Sequence, residues 1–199
     1  MHSTVYKEFE RIVSARRVGG SVLEVGALPA ENTLLCMHSL RATEKIGINL
    51  DGPYDYNGFK ILKGDANHMG CFENDRFDIV LCNALLEHDK YFWKTVEEIK
   101  RVTKPGGLVV IGTPGYAYLR GESRVKSYAK RIPGLRHFDL FTAATVTYEI
   151  HNFPGDYYRF SPQTFREVFF DGMDAVEIRT IMLPPRIVGA GIKARACAH

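Results

Sequence analysis

Five runs of this chain, "SVLEVG", "EKIGINL", "FKILKG", "FDIVLCN" and "GGLVVIGT", are nearly continuous apolar strings rather than alternations of apolar and polar residues. A strand that is apolar on both faces must be covered on both faces, which happens in a parallel sheet flanked by helices. Between the fourth and fifth runs, "DKYFWKTVEEIKRVTKPGG" places Phe92, Val96 and Ile99 on one helical face. Asp89 stands as its N-cap, and Lys104, Pro105, Gly106 and Gly107 close it. This is a βαβ crossover, for which right-handedness is the rule. The end of the chain breaks the pattern: "DAVEIRTIML", "PPR" and "IVGAGIKARA" read as two strands with a tight connection, which makes them antiparallel. The expected architecture is an α/β, mostly parallel seven-stranded sheet with helices on both faces and a C-terminal antiparallel hairpin.

The 199 residues suffice for one domain that buries roughly 70% of its unfolded surface. Its first part, 1–19, is a helix with an apolar stripe at Val5, Phe9, Ile12 and Val13, and it lacks the apolar block and small-residue cleavage site of a secretory signal. No apolar run approaches the roughly 18 to 20 residues of a membrane span, so a membrane protein is excluded and a cytoplasmic one expected. Cys36, Cys71, Cys82 and Cys197 sit at no metal-ligand spacing, which makes them buried small hydrophobes in a reducing compartment and leaves no metal site. A net charge of +3 is too small to argue for nucleic acid from the whole chain; only residues 116–137 concentrate basic side chains.

"VLEVGALPAENT" reads as a buried strand entering a loop that opens a helix, the place where α/β proteins hold a nucleotide-like cofactor. With "FDIVLCNALLEH" and, at the right distance, "RVTKPGGLVVIGTP", the chain resembles the class I S-adenosylmethionine-dependent methyltransferases, in their type 11-like branch. The resemblance covers roughly residues 20–115 and, in topology, the closing hairpin. It implies a Rossmann-like fold and S-adenosylmethionine as cofactor. Of the family's acidic-x-Gly-x-Gly-x-Gly loop, only Glu24 and Gly26 remain. A dinucleotide's pyrophosphate needs the missing glycines, whereas a close approach at Gly26 and Ala27 suffices for a cofactor without one, with Leu28 and Pro29 left to pack between helix and strand.

Position by position, the family's ribose-binding acid falls at Asn49, followed by Leu50 and by Asp51, which assists or substitutes. "KGDANHM" resembles the adenine-binding segment and assigns Asp65 and Ala66, although "GDAN" also favours a turn. Asn83 sits at the carboxyl end of the fourth strand, where open α/β sheets bind ligands.

Methyl transfer needs alignment and exclusion of water, and a base only for a poorly acidic hydroxyl or a protonated amine. His88 and His151 are the candidates, beside Arg159. "EIHNFPGDYYRFSPQTF" gathers Asp156, Tyr157, Tyr158 and Arg159 before a helix capped by Ser161 with Pro162 in its first position, and these line a substrate pocket or form a surface turn. Residues 116–160 form the substrate-binding insertion, and 161–199 the closing helix and hairpin. Positive charge there, with Arg159 as a bidentate clamp, points to O-methylation of a small anionic metabolite. Two alternatives stay open. A non-catalytic member of the fold would bind a partner protein, and an RNA methyltransferase would grip RNA through the basic insertion, with Tyr116, Tyr118 and Tyr128 for stacking. Nothing in the sequence fixes an oligomeric state.

Overall fold

The computed structural model describes residues 1–116, 155–182 and 185–195. Eight strands form one sheet: β1 (Gly19–Val25), β2 (Arg41–Asn49), β3 (Tyr54–Tyr56), β4 (Phe59–Lys63), β5 (Phe77–Asn83), β6 (Thr103–Pro114), β7 (Met173–Met182) and β8 (Pro185–Lys193). Their order is β3-β4-β2-β1-β5-β6-β8-β7. The five apolar runs are the five parallel strands, and the two C-terminal ones are the antiparallel hairpin, with β8 inserted between β6 and β7. The eighth strand, β3, is a short antiparallel addition at the β4 edge.

The two faces follow the period of two that strands impose. On one, Val22, Ile79, Leu81, Leu108 and Val110 pack with Val5, Phe9, Ile12 and Val13 of α1 (Ser3–Arg16). On the other, Leu23, Val25, Val80, Cys82, Val109 and Ile111 meet Val96, Ile99 and Val102 of α2 (Phe92–Val102). Four phenylalanines, Phe160, Phe165, Phe169 and Phe170, complete that core. Phe165 and Phe169 ride on the π-helical turn Phe165–Phe169 that continues α3 (Pro162–Thr164), and Phe170 follows it directly. As the sequence indicates, Ser161 caps α3 by accepting from the Thr164 N–H at 3.1 Å, with Pro162 at its start.

Three local expectations need correction. No helix follows β1: the chain crosses to β2 with only a short 3₁₀ turn, Leu34–Cys36. Side chains supply the partners that helical hydrogen bonds would have given, since Glu24 accepts from the Leu35 N–H at 3.1 Å and Lys45 donates to the Leu35 carbonyl at 2.7 Å. Asp89 does not cap α2, whose N-cap is Tyr91. It lies two residues earlier and braces the turn, accepting from the Tyr91 N–H, the Asn67 amide and the Thr95 hydroxyl at 2.8, 3.0 and 2.7 Å. Of the three described cysteines, only Cys82 is buried; Cys71 is exposed, Cys36 intermediate, and Cys197 lies outside the described residues. No helix among the described residues is long and apolar enough to cross a membrane.

Candidate functional site

Chain order runs outward from β1 through β2 to β4, then reverses to β5 and β6 on the other side. Ligands of open α/β sheets sit where that order reverses, beyond the carboxyl ends of the strands. There the structure has a cleft of about 520 Å³, within the roughly 300–1,000 Å³ of small-molecule sites. It gathers Gly26 after β1, Asn49, Leu50 and Asp51 after β2, Asp65 and Ala66 after β4, and Ala84, Leu85 and His88 after β5, with Tyr157 joining from the far segment. Six residues assigned to the cofactor from sequence therefore line one cleft.

The other three support that cleft without lining it. Glu24 is buried beneath the loop, where burial raises its carboxyl pKa and the Thr33 hydroxyl and Leu35 N–H hold it. Ala27 is fully buried. Its N–H and that of Gly26 both donate to the Ile48 carbonyl, at 3.2 and 2.8 Å, which ties the loop to β2. Asn83 is replaced at the cleft surface by its successor Ala84, whose positive φ of 51° turns the chain across the sheet edge. Leu28, expected in the packing, is instead 57% exposed and lines the cleft mouth, as does Leu50 at 68%; Pro29 is also exposed.

Asn49 explains why an amide stands where the family carries an acid. Its Nδ2 donates to the Ala27 carbonyl at 2.8 Å, and its Oδ1 accepts from the Asp51 N–H at 3.1 Å. An aspartate would keep the second bond and lose the first, setting a carboxylate against a carbonyl. Asn49→Asp is therefore expected to cost about 1–2 kcal/mol of stability, read by urea unfolding at pH 7; an unchanged or improved midpoint would show that the amide is not required. Asp51 lies beyond the end of β2, not on its face. Asp65 is a turn residue and a cleft residue at once: its Oδ1 accepts from the Asn67 N–H at 2.8 Å while the residue lines the cavity.

The "ALLEH" turn after β5 and the segment from Gly155 are tied to each other beside the cleft. The Glu87 carbonyl accepts from the N–H groups of Tyr157 and Tyr158 at 2.8 and 3.2 Å, and the Tyr158 hydroxyl donates to the Lys90 carbonyl at 3.0 Å. Tyr158 packs against Phe92 and Phe160. Tyr157 and His88 line the cleft, whereas Asp156, Tyr158 and Arg159 do not. Arg159 makes a two-pronged ion pair with Asp156, one prong being Nη2 to Oδ2 at 2.6 Å, and this bond raises its pKa. The guanidinium face expected to clamp an anion is thus bound within the protein. His151 and the basic side chains of the run, Arg120, Arg124, Lys126, Lys130, Arg131 and Arg136, lie outside the described residues, as do Tyr118 and Tyr128.

Glu87 is the residue that sequence reasoning passed over. It is wholly buried, and burial lifts its pKa to about 7 against the pull of Arg186 and Arg159. Among the described residues no group of three or more His, Cys, Asp or Glu is placed to hold a metal ion.

Residues 23–111 match the family model described as a methyltransferase domain. No curated protein matches the sequence significantly. Among solved structures, the chain is similar to an S-adenosylmethionine-dependent methyltransferase from Archaeoglobus fulgidus, with a TM-score of 0.65 and 14% identity over 96% of this chain and 93% of that one. It is similar to the Burkholderia thailandensis 1,6-didemethyltoxoflavin-N1-methyltransferase bound to 1,6-didemethyltoxoflavin and S-adenosylhomocysteine, with a TM-score of 0.63 and 12% identity over 96% and 78%. A third similarity is to Haemonchus contortus phosphoethanolamine N-methyltransferase 2, in complex with phosphomonomethylethanolamine and S-adenosylhomocysteine, with a TM-score of 0.59 and 14% identity over 94% of this chain and 52% of that one. Identities this low speak for the fold, while the sequence match over residues 23–111 is to a methyltransferase domain, in line with the class I resemblance that the motifs imply.

Proposed function

We propose that the cleft binds S-adenosylmethionine and that the protein transfers its methyl group to a small-molecule acceptor. The observation that carries this reading is that Gly26, Asn49, Leu50, Asp51, Asp65 and Ala66 line one cleft at the point where strand order reverses. The residues present suit the cofactor. Gly26 leaves its backbone open to close approach, Asp51 and Asp65 offer carboxylates to hydroxyl and amino groups, and Leu28 and Leu50 give apolar area that a seated ligand covers. When bound, the cofactor supplies a methyl carbon already activated by its sulfonium, so the chain's task is positioning and the handling of a proton. Two of the similar structures are, by name, N-methyltransferases of small molecules, which supports an acceptor of that size.

Calorimetry with S-adenosylmethionine and S-adenosylhomocysteine tests the reading. Binding well below millimolar is expected, and a folded protein that binds neither would refute it. Asp65→Ala is expected to weaken S-adenosylhomocysteine by about tenfold through a lost acceptor; unchanged affinity would remove Asp65 from the site. As for the acceptor's chemistry, Arg159 is engaged by Asp156 and could clamp an anion through that face only if the pair opened, and the basic insertion on which O-methylation of an anion also rested lies outside the described residues.

A further inference from the structure

Eight large apolar side chains stand exposed among the described residues, and five of them gather at one place. Leu28, Leu50 and Tyr157 line the mouth of the cleft, and Tyr91 and Trp93 follow on Lys90, which lines it too. Single apolar residues on a surface need no explanation, but a cluster of them does. For Leu28 and Leu50 the ligand proposed for the cleft supplies one; for the three aromatics it does not. Ring contacts join these three into one rim. Between centroids, Tyr157 lies 6.1 Å from Tyr158, Tyr158 5.0 Å from Phe92, Phe92 5.4 Å from Trp93, and Trp93 5.7 Å from Tyr91. Two lysines belong to the same rim: the ammonium groups of Lys90 and Lys94 stand over the Tyr91 ring, 5.6 and 5.0 Å from its centroid. The backbone beneath is held, because Asp89 accepts from the Tyr91 N–H at 2.8 Å and the Lys90 carbonyl accepts from the Tyr158 hydroxyl at 3.0 Å. The nearby acids are engaged elsewhere. Asp89 is bonded within that turn, and Glu97, one turn further along α2, acts on Lys100.

We propose that this aromatic and cationic rim is a docking surface for an anionic lipid bilayer. Tryptophan and tyrosine settle at the headgroup level of a membrane, where the ring reaches apolar surroundings while its N–H or O–H stays wet, and lysines beside them meet anionic headgroups. The rim holds both kinds of group side by side. Attachment of this sort lies on a membrane and needs no spanning segment. Because Lys90 belongs to both rim and cleft, docking brings the cleft mouth to the bilayer. Single-stranded nucleic acid would also be drawn to the lysines, but its bases need open ring faces on which to stack. The Tyr91 ring is covered by the two ammonium groups, and Trp93 is flanked by Tyr91 and Phe92 at interplanar angles of 84° and 78°. That arrangement favours the membrane.

Trp93 is the chain's one tryptophan, so its fluorescence reports on the rim directly. The full chain is titrated with vesicles of phosphatidylcholine and phosphatidylglycerol, and with vesicles of phosphatidylcholine alone. With the anionic vesicles, Trp93 emission should move to shorter wavelength and be quenched by brominated acyl chains, and added salt should weaken the binding. Lys90→Gln combined with Lys94→Gln should weaken it by about tenfold or more, as should replacing the anionic lipid. Lys7→Gln combined with Lys60→Gln removes the same charge from exposed positions on α1 and β4, and should change binding by no more than about twofold. Trp93→Ser, followed by cosedimentation, should lose binding as the first lysine pair does. Emission that stays unmoved at millimolar lipid would overturn the proposal. Vesicle binding without a response of Trp93 would overturn it too, by placing the contact elsewhere on the chain, and an equal loss in the two lysine pairs would reduce the effect to net charge. Quenching of Trp93 by polyuridylic acid with no response to vesicles would assign the rim to nucleic acid instead, and vesicle-free dimerisation abolished by Trp93→Ser would assign it to a second copy. Should Trp93→Ser fail to fold, the fluorescence of the wild type and of the lysine pairs decides. Vesicle binding and S-adenosylhomocysteine binding are measured apart, so failure of either leaves the other standing.

Discussion

Replacing Gly26 with valine is expected to weaken S-adenosylhomocysteine binding by at least about 100-fold, close to 3 kcal/mol. Two causes combine. Gly26 has φ of 83°, a left-handed conformation that costs an L-residue roughly 1–2 kcal/mol and a β-branched one more. A Cβ at that position would also stand 2.6 Å from the Leu85 Cδ1 and 3.3 Å from its Cβ. The Leu85 Cδ1 can swing away, but its Cβ can move only with the backbone, which follows Ala84, whose N–H is bonded to the Gly112 carbonyl at 2.9 Å. The loop cannot retreat either without giving up the bonds from Gly26 and Ala27 to the Ile48 carbonyl. Gly58→Ala separates the two causes. Gly58 has nearly the same φ, 82°, with nothing within 4 Å of an added Cβ, and it is not a cleft residue. It should cost about 1 kcal/mol of stability and leave affinity untouched. If valine at position 26 binds the ligand like wild type, the loop is not the cofactor's seat.

That one surviving glycine shows why the loop was only half legible in sequence. The position needing positive φ and close approach kept its glycine, while the positions that needed neither became Ala27, Leu28 and Pro29. What the residues did not announce was that the crossover beyond them is not helical. Leu34, Leu35, Met37 and Leu40 are buried in a turn whose backbone is held by Glu24 and Lys45, partners brought by neighbouring strands and invisible to local periodicity. The five parallel strands were legible because burial on both faces writes itself as an uninterrupted apolar run. β3 also had a signal, the Asn57-Gly58 pair between "YDY" and "FKI", with φ of 45° and 82° as a two-residue hairpin turn prefers; a three-residue strand is too short to show a pattern of its own.

In the site, main-chain position was easier to read than side-chain engagement. Asn49, Asp51, Asp65 and His88 reach the cleft because strand ends place them there. That Asn49 spends its amide on Ala27, and Arg159 its guanidinium on Asp156, depends on contacts made in three dimensions, though the three-residue spacing of Asp156 and Arg159 was a clue. Glu87 stood in plain view between Leu86 and His88 in "LLEH". Its only signal was a charge beside a buried leucine, and its meaning came from the burial that the fold imposes.

Glu87→Gln is expected to raise the unfolding free energy by up to about 3 kcal/mol at pH 8 and to leave it nearly unchanged at pH 4.5. The folded-state pKa is about 7 against an ordinary value of 4.5. A carboxyl whose pKa is raised by folding binds its proton more tightly in the native state, so its contribution is fully present below the ordinary value and is lost as pH climbs through 4.5 to 7. A displacement of about 2.5 pH units corresponds to roughly 3 kcal/mol at 1.36 kcal/mol per unit. Glutamine resembles the protonated acid in shape and carries no charge to desolvate, so the variant keeps at high pH what the wild type has only at low pH. Urea unfolding of both proteins at pH 4.5, 6 and 8 checks this, and taking the difference between them cancels the titration of every other group they share. A gap that does not widen with pH would mean that Glu87 does not change its proton affinity on folding.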